Sequence, residues 1–161
     1  MKKILIIIVS IILHYSSIGQ KLSIDDLIKI KSMTYSEAKT FLSKKKFGFI
    51  ESMVEEDKSK FYVFGYDLDK EKKADEYLSI TIQQNATAPF MVWYQLLKKD
   101  WQKLKSSMLS LGYKNMGTEP TVAGSLMTVY EKGKLRLQFS EARSEENNGG
   151  VIYTIDLTLV D

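Results

Sequence analysis

Along three stretches of the chain, apolar and polar residues alternate with a period of two. Leu78, Ile80 and Ile82 alternate with Tyr77, Ser79, Thr81 and Gln83, and Leu135, Leu137 and Phe139 with Arg136 and Gln138. Near the end, Val151, Tyr153, Ile155, Leu157 and Leu159 alternate with Thr154, Asp156 and Thr158. Such a pattern predicts strands with one side in the core and the other in water. The apolar runs 48–54 and 61–66 also read as strands, and 125–131 joins 135–139 through Lys132-Gly133, where glycine supplies the positive φ of a tight turn. In 61–66, Tyr62, Phe64 and Tyr66 alternate with the equally apolar Phe61, Val63 and Gly65, so periodicity does not choose which side faces inward.

Helix signals follow a different spacing. Thr34 and Glu37 form a capping-box pair that predicts a helix over 35–45, and Ser23 caps a shorter one over 24–30 with Ile24, Leu27, Ile28 and Lys31 on one face. Trp93, Leu97, Trp101, Leu104, Met108 and Leu111 recur at intervals of four and three, which predicts a long helix over 92–111.

The order of these elements divides the chain. Phe41-Leu42-Ser43 leading to Phe47-Gly48-Phe49 is answered by Met108-Leu109-Ser110 leading to Leu111-Gly112-Tyr113. Each helix then gives way to antiparallel strands. We therefore expect an α+β fold: one domain over 20–161, built of two similar halves at about 20–88 and 89–161, forming one sheet with helices on one face and the other face open.

The N-terminus reads as a leader. Lys2 and Lys3 precede the apolar run 4–13, broken only by Ser10, which is shorter than the roughly 20 residues needed to span a bilayer. Ser17 and Gly19 then provide the small residues at −3 and −1 of a cleavage site. Residues 1–19 are thus expected to be a secretory signal peptide, with Gln20 the mature N-terminus and no stable membrane anchor afterwards. The expected location is the periplasm or the medium.

Composition then narrows the chemistry. The leader takes two of the 23 basic residues and none of the 20 acidic ones, so the mature chain is close to neutral, and only Arg136 and Arg143 are arginines. That removes the electrostatic case for nucleic acid. There is no cysteine, and the single histidine, His14, lies in the leader. Histidine triads, thiol nucleophiles and ordinary zinc or copper sites are excluded from the mature chain. Asp67, Asp69, Glu71 and Asp75 alternate as calcium ligands do. The count fails, however, because Lys72 stands where the loop needs glycine and Leu78 where it needs a bidentate glutamate. A metal site, a cofactor and an enzymatic activity are therefore not expected.

The residues 18–21 (Ile-Gly-Gln-Lys), the segment 26–30 (Asp-Leu-Ile-Lys-Ile) and the aromatic-glycine-aromatic helix exits together resemble small exported proteins of unknown role common in Bacteroidota. The helix-then-strands order is also similar to that of beta-lactamase inhibitory protein. That resemblance implies binding of a protein target on the open face of the sheet. The candidate binding face comprises Tyr62, Tyr66, Tyr77, Ser79, Thr81, Gln83, Arg136, Gln138, Thr154 and Asp156. The expected partner is another envelope or secreted protein, met in an inhibitor-like or immunity-like manner. The alternative is a periplasmic small-ligand or glycan binder, which an aromatic-lined concavity would favour.

Overall fold

A computed structural model describes residues 21–121, 125–143 and 150–160. The leader expected at 1–19 lies outside the described residues. Two helices open the described chain, α1 (Ile24–Ser32) and α2 (Tyr35–Lys44), followed by β1 (Phe47–Val54), β2 (Lys60–Tyr66), β3 (Tyr77–Ile82) and β4 (Met91–Leu96). After α3 (Lys98–Ser107) come β5 (Lys114–Pro120), β6 (Leu126–Lys132), β7 (Leu135–Arg143) and β8 (Val151–Leu159). The fold is α+β, with the eight strands in a single antiparallel sheet of order β1-β2-β3-β4-β8-β7-β6-β5. Among the described residues no helix is long and apolar enough to cross a membrane.

Local chemistry sets the first two helices. Ser23 accepts from the Asp26 amide while Asp26 accepts from the Ser23 amide, and Thr34 and Glu37 make the same reciprocal pair. Each cap satisfies amide donors that a helix start leaves free. The helix expected over 92–111 is different. Residues 91–96 form β4, and the helix begins only at Lys98, after an extended Leu97 that offers no capping side chain. Val92, Trp93 and Tyr94 are β-formers, and Val92, Tyr94 and Leu96 are buried while Met91, Trp93 and Gln95 are half-buried. Pairing with β3 and β8 outweighs the helical spacing that the sequence also contains.

A helix followed by a four-strand meander thus occurs twice, and the two meanders meet only where β4 pairs with β8. Lys46 and Gly112 both adopt a left-handed conformation after their helices, and each is followed by a buried aromatic, Phe47 or Tyr113. Both outer strands carry an irregularity, at Phe49/Glu51 in β1 and at Asn115/Gly117 in β5. Bulges at exposed edges discourage pairing with another sheet.

One buried cluster unites the elements. Leu27 and Ile30 from α1, Leu42 from α2 and Trp101 and Leu104 from α3 share it with Phe64, Leu78, Ile80, Tyr94, Leu137, Phe139, Ile155 and Leu157. Tyr35 stacks on Tyr62, and the Trp101 ring meets Phe139 and Tyr153 edge-on and tilted, while its indole N–H donates to the Thr154 carbonyl.

Candidate functional site

Alternation leaves a second set of side chains on the side of the sheet turned away from that cluster. Register aligns them in rows running across all eight strands. The middle row reads Glu51, Val63, Ser79, Trp93, Asp156, Gln138, Val129 and Gly117 from β1 to β5. A neighbouring row reads Gly48, Gly65, Tyr77, Gln95, Thr154, Ser140, Met127 and Glu119. On the other flank lie Phe61, Thr81 and Met91 in β2 to β4, and Thr158, Arg136 and Glu131 in β8 to β6.

This side mixes apolar and polar groups, and several of its side chains are buried. Ser79 and Thr81 are only 2% and 6% exposed, and Val129 is fully buried. Arg136 reaches from β7 across β6 to Glu119 of β5 at 2.6 Å, and also pairs with Glu131 at 3.2 Å. The hydroxyls of Ser140 and Thr154 share a hydrogen bond of 2.6 Å. Asp156, at the centre, takes part in no ion pair or side-chain hydrogen bond among the described residues. Burial beside Trp93 pushes its carboxyl up to about 6, because a carboxylate without compensating donors is poorly solvated there.

The end of this side next to β1 is finished by the loop between β2 and β3. Gly48 and Gly65 oppose each other, and a methyl group on either would meet the Leu68 side chain, at 2.7 Å and 2.4 Å. The two glycines leave the space that Leu68 fills. In the same loop the Ala74 amide donates to the Tyr77 hydroxyl at 3.1 Å. The Asp69 carboxylate accepts from the Glu71 and Lys73 amides at 2.9 and 2.8 Å, so it organises a turn. Among the described residues no trio of carboxylates converges as metal ligands do.

Of the residues singled out from sequence, register brings Tyr77, Ser79, Thr81, Arg136, Gln138, Thr154 and Asp156 onto this one side. Tyr62 and Tyr66 belong to the other side, and their place on the candidate face is corrected. Tyr62 opposes Ile80 and stacks on Tyr35, and Tyr66 meets Phe47 and lies under the Lys21 ammonium. Pairing of Phe64 with Leu78 is what decides this, since the core needs the larger even-numbered rings. Gln83 lies one residue beyond β3, where its carbonyl accepts from Ala86. The sequence reading missed Phe61, Val63, Met91, Trp93 and Val129. Trp93 was hidden by the helical spacing, and Phe61 and Val63 by the apolar run around them.

A second polar group sits within the core. Glu76 is fully buried and accepts from the Tyr94 hydroxyl, while Lys21 Nζ lies 3.1 Å from its other oxygen. Burial, reinforced by the Glu76 charge, pushes the Tyr94 phenol far up. Chemistry on a dissolved substrate needs access, and with Glu76 at 0% and Tyr94 at 1% exposure this pair has none. It is an anchor for the start of the domain. Surface hollows next to Tyr153, Tyr66, Phe41 and Tyr113 each carry one aromatic ring, which is not the aromatic-lined concavity of a glycan binder.

No family model, curated protein or solved structure matches the chain.

Proposed function

We propose that this chain is an exported, non-enzymatic binding protein that engages another envelope or secreted protein through the side of the sheet centred on Trp93 and Asp156. In this reading the leader is removed before Gln20, the helices cover only the core side, and the two helix-plus-meander runs are copies of one unit. The relation to beta-lactamase inhibitory protein is kept as an analogy of architecture.

The observation that supports it best is the middle row. A half-buried tryptophan and a carboxylate that has no ion-pair partner among the described residues stand side by side at the seam of the sheet, with Met91 beside the tryptophan on β4 and Val63 and Phe61 two strands away on β2. Tryptophan and other large rings dominate the energetics of protein interfaces. The aromatic partners of Tyr35 and Trp101 are core-side rings, which agrees with the opposite side being left for a partner.

The test is site-specific photocrosslinking in the exporting cell. A photoreactive residue replaces Gln95, on the proposed docking side, or Thr40, exposed on α2. A defined adduct from position 95 and none from position 40 is expected. Adducts from position 40 alone, or from neither, would overturn the reading.

A further inference from the structure

The centre of the docking side has a charge that no counter-charge among the described residues answers. Asp156 faces Trp93 on one strand and Gln138 on the other. Two strand cations share this side: Arg136 is already held by Glu119 and Glu131, and Lys114 opposes Glu131 on the outer strand β5, three strands from Asp156. Of the remaining charged residues of the middle row, Glu51 lies on β1 at the outer edge, and it has the same sign as Asp156. Tyr77 belongs to the adjacent row, and its hydroxyl is engaged by the Ala74 amide.

When a partner covers this surface, water leaves Asp156. A carboxylate buried without a counter-charge is strongly disfavoured, so an uncharged or acidic surface over it would bind poorly. A cation there would meet the carboxylate between the side chains of Trp93 and Gln138, an aromatic ring and an amide that complement an ammonium or guanidinium.

We infer that Asp156 is the seat of a lysine or arginine side chain presented by the partner protein, an inference that rests on reading this side as the docking surface. Trp93 and Gln138 position and shield that side chain. Specificity follows, because only a partner with a base at this position avoids leaving the carboxylate buried and unpaired.

Two measurements test it. In the first, the Asp156 carboxyl is followed by carbon NMR during pH titration of the folded mature chain, with N-acetyl-argininamide or the neutral N-acetyl-citrullinamide as probe. The arginine compound is expected to lower the Asp156 midpoint by about one pH unit, a tenfold preference for the ionised form, and to shift the Trp93 indole signal. Citrullinamide should do neither. No midpoint shift with argininamide, or equal shifts with both compounds, would overturn the inference.

In the second, the position-95 photocrosslink is repeated in Asp156→Asn, which keeps the shape and removes the charge. A loss of adduct of at least about tenfold is expected, as for removal of a charged pair at an interface. An undiminished adduct overturns the cation seat and leaves the docking surface standing. Absence of the adduct in the unsubstituted chain overturns the docking surface itself.

Discussion

Trp93 and Asp156 oppose each other across β4 and β8, the pairing that joins the two meanders. The carboxylate therefore stands at the middle of the sheet, as far from either edge as the architecture permits. Burial pushes its carboxyl from the usual 3.8 up to about 6. A raised acid favours the folded state while protonated, so its stabilising effect is complete below about pH 4 and is lost as pH rises through 6. Asp156→Asn should consequently raise the stability of the free protein by about 1–3 kcal/mol at pH 7.5 and leave it nearly unchanged at pH 4. Urea unfolding at the two pH values measures this. Equal effects at both would show that the carboxyl is not perturbed.

Leu137 and Gln138 are neighbours in β7 that point to opposite sides. Leu137 is fully buried against the core, and Leu137→Ala should cost about 2–5 kcal/mol. Gln138→Ala and Tyr77→Ala should stay within about 0.5 kcal/mol. Arg136→Ala removes both ion pairs of a partly exposed side chain and should cost about 1 kcal/mol or less. A cost for Gln138→Ala comparable with that of Leu137→Ala would mean that this side is packed against something.

Gly65 does not adopt a left-handed conformation, so its requirement is one of space. A Cβ there would lie 2.4 Å from Leu68 Cδ2 and 2.8 Å from Ala74 Cβ. Gly65→Ala is expected to destabilise by about 1–3 kcal/mol. Adding Leu68→Ala should recover part of the loss, a coupling that a double-mutant cycle reads directly. Strictly additive effects would separate the glycine from the loop.

Tyr94→Phe deletes the donor to a buried carboxylate and leaves the rest of the ring in place. The expected cost is about 1–3 kcal/mol, since an unsatisfied buried acceptor loses its desolvation free energy outright. Thermal unfolding checks it, and a neutral result would indicate that Glu76 is satisfied without the phenol.

Export is tested by mass. The protein recovered outside the cytoplasm should have the intact mass of a chain starting at Gln20. Full-length chain found only in the membrane fraction would count against cleavage.

How far the sequence speaks for itself depends on the range of the interaction concerned. Caps at Ser23 and Thr34 involve residues three apart, and the turn at Lys132-Gly133 needs only the positive φ that Gly133 adopts, so local chemistry specifies them. Strands β3, β7 and β8 declare their inward sides by alternation, because their outward residues are polar; Leu78, Ile80, Leu137, Phe139, Ile155 and Leu157 are all buried as that alternation requires. Seven of the ten candidate face residues followed from the same signal.

What the chain could not say locally, the sheet decided. Residues 91–96 satisfy a helical period and a strand period at once, and only the open place between β3 and β8 makes the strand the better solution. Likewise β2 is apolar on both sides, and its pairing with β3 turns Phe64 inward and Phe61 and Val63 outward. β5, with Gly117 and Pro120 and no alternation, becomes a strand because β6 supplies the pairing. The sequence alone thus determined the elements whose cause lies within a few residues and the α+β class that follows from their order. The tertiary structure determined the seam, and with it the meeting of Trp93 and Asp156. That contact depends on hydrogen-bond register between strands some sixty residues apart in the chain, which no local pattern of side chains contains.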